Sequence, residues 1–152
     1  MNRIASFTIN HNTLLPGLYI SREDGDITTY DLRFKQPNGR DYLQNGAMHT
    51  VEHLFATYIR NSRLAEHIIY FGPMGCRTGF YLLVRDLPPA EVIVLTAETL
   101  RFCADFIGEI PGVSAAECGH YEEHDLVGAR SECRKMAALL TDYPVKKLQY
   151  IG

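Results

Sequence analysis

The chain has 152 residues, the size of one ordinary domain that can bury its own core without staples. Hydrophobic residues make up 46%, charged residues 22%, and Trp is absent, a balance that excludes collagen-like, coiled-coil and disordered classes. Fifteen Lys and Arg against eighteen Asp and Glu leave a net charge of −3, which argues against a nucleic-acid binder, because phosphate contacts need a basic footprint.

Met1 to Asn10 holds no apolar run of the kind a secretory signal needs. The longest apolar stretches, such as Val92 to Leu95, are far too short to span a membrane. A cytoplasmic protein is therefore expected, with Cys76, Cys103, Cys118 and Cys133 as free thiols. Ile4 to Ile9 and Leu18 to Ser21 read as weak strands. Ile27 to Phe34 alternates and is rich in β-branched and aromatic types, so it reads as a strand followed by a turn at Gln36-Pro37-Asn38-Gly39. From Ala47 to Asn61, Val51, Leu54, Phe55, Tyr58 and Ile59 fall at helical spacing. His67 to Phe71 and Gly79 to Arg85 predict a hairpin-like strand pair around Cys76. Pro88-Pro89 opens a long helix from Ala90 to about Glu109, ended by Pro111-Gly112. A last helix is predicted from Asp125, its N-cap, to Leu140. Residues 1–152 thus read as a single α+β, two-layer domain: a mainly antiparallel sheet packed with about three helices.

The most informative pentapeptide is His49-Thr50-Val51-Glu52-His53. Residues four apart on a helix share a face, so both imidazoles can reach one metal ion. Glu52 borders that face as a candidate general acid/base. A third ligand is needed, and His11, His67, His120, His124 and Cys118 are the candidates. Cys118 is attractive because a thiolate with two imidazoles leaves a fourth position open on zinc or ferrous iron. A second site is suggested by Gly72-Pro73-Met74-Gly75-Cys76-Arg77-Thr78-Gly79, a turn built for close backbone approach. Arg77 stands next to Cys76, where it could favour a thiolate. Cys103 and Cys133 fall within helical patterns as core or half-buried residues.

These segments together resemble the S-ribosylhomocysteine lyase (LuxS) family, which makes the autoinducer-2 precursor. The matching stretches are Ser6-Phe7 with His11-Asn12, Asp31-Leu32-Arg33-Phe34 with Gln36-Pro37-Asn38, His49 to Ala56, Pro73 to Tyr81, and Cys118-Gly119 with His124-Asp125-Leu126. The resemblance implies a LuxS/MPP-like fold and one divalent metal per subunit, ferrous iron with zinc or cobalt as substitutes. It implies His49, His53 and Cys118 as metal ligands, and Cys76 and Glu52 as the acid/base pair. Ser6, His11 and Arg33 are then substrate-binding residues. It further implies a cytoplasmic homodimer with active sites at the interface, a small-molecule substrate, and neither nucleic-acid nor membrane partners.

The implied reaction converts S-ribosyl-L-homocysteine to L-homocysteine and 4,5-dihydroxy-2,3-pentanedione within the activated methyl cycle. Two carbonyl migrations along the sugar precede a β-elimination. Arg33 is expected to pair with the homocysteine carboxylate. Two departures stand out: the family's Asp-Ile-Ser is Tyr70-Phe71-Gly72 here, where the family Asp helps bind substrate, and its Cys after Arg-Phe is Lys35. Two readings compete: a non-catalytic metal-binding module, motivated by Tyr70-Phe71-Gly72, and a small metallopeptidase, since His-x-x-Glu-His is also an inverted zincin motif. Such peptidases take a downstream Glu as third ligand, and Cys76 and Cys118 would have no role in one.

Overall fold

A computed structural model describes residues 1–151. In chain order the elements are β1 (Gly17–Asp24), β2 (Ile27–Arg33), α1 (Asn45–Arg60), β3 (Ile68–Pro73), β4 (Gly79–Arg85), α2 (Pro89–Asp105) and α3 (Leu126–Leu139). The four strands form one antiparallel sheet in the order β1-β2-β4-β3. Gly25, at φ +62°, opens the two-residue connection between β1 and β2, a conformation that side-chain-bearing residues rarely adopt.

Alternation along the strands divides the sheet into two faces. Leu18, Tyr30, Leu32, Phe80, Leu82 and Val84 are buried on one face. They share a core with Val51, Leu54, Phe55 and Ile59 of α1, Val92, Leu95 and Leu100 of α2, and Cys133 and Met136 of α3. Cys103 and Cys133 are fully buried there, as predicted. The opposite face carries Tyr19, Asp31 and Tyr81, which are cross-strand neighbours by register, and Arg33 two residues along β2. Asp31 and Arg33 are nonetheless buried, at 0% and 2% exposure. The sheet and helices thus form the expected α+β, two-layer domain.

Asp125 caps α3 by accepting a hydrogen bond from the Gly128 amide at 2.9 Å, as its sequence position predicts. Two expectations are corrected. Ile4 to Ile9 is not a strand: Ala5–Phe7 forms a short 3-10 helix. The outer edge of β1 at Leu18 is instead met by Tyr143, whose hydroxyl accepts from the Leu18 amide at 3.2 Å and donates to its carbonyl at 3.1 Å. An edge satisfied in this way offers no pairing partner there. Helix α2 ends at Asp105 rather than near Glu109. Gly108, at φ +128°, is incompatible with a continuing helix. Arg130 Nε and Arg134 Nη2 of α3 donate to the Ala104 carbonyl, satisfying the end of the helix.

Candidate functional site

Helix α1 turns Val51, Leu54 and Phe55 into the core and leaves His49, Glu52 and His53 half-buried. The i, i+4 spacing sets the two imidazoles side by side, their rings 4.6 Å apart and at 86°. His49 Nδ1 lies 2.8 Å from the Glu123 carbonyl, and His53 Nδ1 lies 2.7 Å from the Pro111 carbonyl. A carbonyl only accepts, so each Nδ1 carries the proton and each Nε2 keeps its lone pair. Both Nε2 atoms face Cys118 Sγ, at 3.3 and 3.8 Å. Tetrahedral coordination with bonds of about 2.3 and 2.1 Å would separate sulfur from nitrogen by about 3.6 Å. The donor set therefore fits a divalent ion in both chemistry and spacing.

Cys118 is delivered by a tight turn. The amides of Glu117 and Cys118 both donate to the Ser114 carbonyl at 3.0 Å, and Ser114 Oγ donates to Glu117 Oε1 at 2.6 Å. Of the five candidates for a third ligand, the fold brings two to the histidine pair. His49, His53, Cys118 and His124 offer donor atoms all within 4.8 Å of one another. His124 stacks on His49, with ring centroids 4.0 Å apart and planes at 23°. His124 thus joins the cluster stacked along His49, whereas His53 stands nearly perpendicular to both rings. Thr50 Oγ1 holds His124 Nδ1 at 2.9 Å and accepts from the Asp125 amide at 2.9 Å. Burial, with His49 and His53 beside it, pushes His124 down to about 4. Its ring is thus neutral at neutral pH.

A second group forms at the β3–β4 turn. A cavity of about 430 Å³ there is lined by Ser6, His11, Arg33, Cys76, Thr78 and Tyr81, among others. The turn closes with Met74 N donating to the Gly79 carbonyl and Arg77 N to the Met74 carbonyl. Arg77 takes the left-handed conformation at φ +62°. Cys76 Sγ is exposed at the mouth, 3.0 Å from Thr78 Oγ1. Arg77 donates to the Leu43 carbonyl at 3.3 Å and lies over the Tyr42 ring. The positive charge beside Cys76 is Arg33, which donates to Thr78 Oγ1 at 2.8 Å. Arg33 also makes a two-pronged pair with Asp31, through Nε at 3.0 Å and Nη2 at 2.6 Å. Three of its five N–H groups are thereby used, leaving two for a ligand. Burial and the nearby Asp31 carboxylate push the Tyr81 phenol upward, so it remains a donor.

None of His49, Glu52, His53 and Cys118 lines this cavity among the described residues. The sequence-predicted residues therefore fall into two halves on one chain: the histidine–cysteine cluster with Glu52 in the helical layer, and Cys76 with Ser6, His11 and Arg33 at the end of the sheet. Tyr70 is half-exposed, at 52%, and lines a neighbouring cavity with Ser6 and Tyr81. Its ring lies where a Cβ on residue 72 would be, which explains why Gly72 accompanies it. Lys35 is buried between Asp41 and Glu132, at 3.1 and 2.8 Å, and ties the end of β2 to α3.

The S-ribosylhomocysteinase (LuxS) family model matches residues 4–144. S-ribosylhomocysteine lyases of Clostridium acetobutylicum and Phocaeicola vulgatus are each 46% identical to the chain over 156 aligned positions, covering 99% of it and 99% and 97% of themselves. The enzyme of that name from Clostridium beijerinckii is 45% identical over 157, covering 99% of both chains. With the family model spanning nearly the whole sequence and full-length relatives at this identity, the chain belongs to the S-ribosylhomocysteinase (LuxS) family.

Proposed function

We propose that the protein, acting as one domain over residues 1–152, is a metal-dependent S-ribosylhomocysteine lyase that releases L-homocysteine and 4,5-dihydroxy-2,3-pentanedione. The observation that carries this reading is the convergence of His49 Nε2, His53 Nε2 and Cys118 Sγ in a chain of this family. His49, His53 and Cys118 would hold the ion; ferrous iron is our assignment, with zinc or cobalt able to replace it. Bound there, the ion supplies Lewis acidity that makes protons beside the sugar carbonyl acidic.

The chain's own residues carry the remaining chemistry. Cys76 and Glu52 take and return the protons that move the carbonyl from the first to the third sugar carbon. With the carbonyl at the third carbon, loss of the proton on the fourth breaks the bond between the fifth carbon and sulfur, whose electron pair leaves with homocysteine. Glu52 gives that thiolate its proton. Ser6, His11 and the two remaining Arg33 N–H groups bind substrate, the latter facing its carboxylate.

The cavity at the Cys76 turn takes no residue of the metal half among the described residues, which supports a homodimer whose active sites take the metal half from one subunit and the Cys76 half from the other. Four unpaired thiols are consistent with a cytoplasmic location. No helix among the described residues is long and apolar enough to cross a membrane. The peptidase reading is not favoured, since the family is a lyase family and the third donor is a thiol. The test is homocysteine release from S-ribosylhomocysteine, followed with a thiol reagent. Protein reloaded with ferrous or cobalt ion should release thiol, and chelated protein should not. A folded, metal-loaded protein that releases none would refute the assignment.

A further inference from the structure

A continuous hydrogen-bonded path runs from the C-terminal segment to the Cys76 thiol. Tyr150 Oη donates to Asp31 Oδ2 at 2.7 Å. Asp31 holds the Arg33 guanidinium through both carboxylate oxygens. Arg33 Nη1 donates to Thr78 Oγ1, which lies 3.0 Å from Cys76 Sγ. Because Thr78 Oγ1 already accepts from Arg33, its own proton is available to sulfur. The three central members, Asp31, Arg33 and Thr78, are at most 2% exposed. Water cannot substitute for a lost partner there, and each bond polarises the next.

Tyr150 is fixed for this role from two sides. Its ring stacks on Tyr19 of β1, with centroids 4.9 Å apart and planes at 13°. Burial and the Asp31 carboxylate push its phenol upward, so it stays protonated and donates. Tyr150 also lies beyond residue 144, where the match to the family ends.

We propose that Tyr150 is a positioning residue for Cys76: its hydroxyl fixes the Asp31 carboxylate, and through it the Arg33 guanidinium and Thr78 hydroxyl that face the thiol. The inference rests on the assignment of Cys76 as a proton shuttle. The C-terminal segment is then part of the machinery that sets thiol reactivity, and more than a cover over β1.

The test is the rate of Cys76 alkylation by iodoacetamide at neutral pH, read by peptide mass spectrometry on the metal-loaded protein. Tyr150→Phe keeps the stack on Tyr19 and removes only the hydroxyl. It should slow alkylation about three- to tenfold, the weight of one charge-assisted bond partly transmitted along the path. It should also lower kcat by a larger factor than it raises KM, with a fall in Tm of the size expected for one bond lost to a buried carboxylate. Thr78→Val removes the hydrogen-bonded link and leaves only the Arg33 charge beside the thiol, so adding Tyr150→Phe to it should slow alkylation by less than Tyr150→Phe does alone. An alkylation rate for Tyr150→Phe within about twofold of the parent, or effects that multiply in the double variant, would overturn the proposal. Alkylation requires no substrate. Slowed alkylation in a protein that releases no homocysteine would therefore uphold the path while refuting the lyase assignment.

Discussion

Arg33 is the most constrained side chain of the candidate site. Its charge is buried against Asp31, with the side chains at 2% and 0% exposure. Arg33→Met should therefore do more than raise KM. It strands a buried carboxylate without its partner, and a loss of about 3–5 kcal/mol in stability is expected. Thermal unfolding checks this, with Asp31→Asn/Arg33→Met expected to recover part of the loss. Asp31 was readable in the sequence, since residues two apart on a strand share a face. The type of Arg33 alone points to a substrate carboxylate, whereas the i, i+2 spacing points equally to Asp31. The third metal donor posed a different problem. Five His and Cys residues were chemically eligible, and only the closure of a loop some 65 residues from His53 brings Cys118 within reach. His124 arrives with it, anchored by Thr50. No local spacing reveals that pairing.

Elements were more legible than contacts. Helix α1 was marked by apolar periodicity, and the same geometry that buries Val51 and Leu54 presents His49 and His53 together. The start of α3 was marked by Asp125, whose side chain does cap it. Misread segments were those whose fate depends on neighbours. Ile4 to Ile9 has strand composition but meets no free edge, and α2 stops where Gly108 and the two α3 arginines end it. The β3–β4 turn depends on a glycine for spacing. A Cβ on Gly79 would collide with the Leu32 carbonyl and lie 3.0 Å from the Arg33 Cα across the ladder. Gly79→Ala should push β4 from β2 and disturb the turn that carries Cys76. A loss of about 1–3 kcal/mol is expected from such overpacking, measured by chemical denaturation, together with altered Cys76 alkylation. Unchanged stability and reactivity would show that the strands can absorb the methyl group.

At the scale of the molecule, the proposed homodimer draws each active site from two chains. Mixed subunits can test that division. Cys76→Ala keeps the metal half, and Cys118→Ala keeps the sheet half, so each alone should be inactive. After subunit exchange, half the dimers would be mixed and each would carry one intact site. Activity should rise to about a quarter of the parent level if the sites are shared across a two-fold interface. No recovery after verified exchange would place each site within a single chain. The central claim concerns the chemistry itself, that Cys76 and Glu52 move the protons of a carbon–sulfur lyase beside the His49–His53–Cys118 centre. The most direct measurement is homocysteine release by the metal-loaded parent beside Cys76→Ala and Glu52→Gln. Release by the parent, and a loss of about 10²–10⁴-fold in each variant with metal content retained, is the predicted result. Release that persists in both variants would contradict the account.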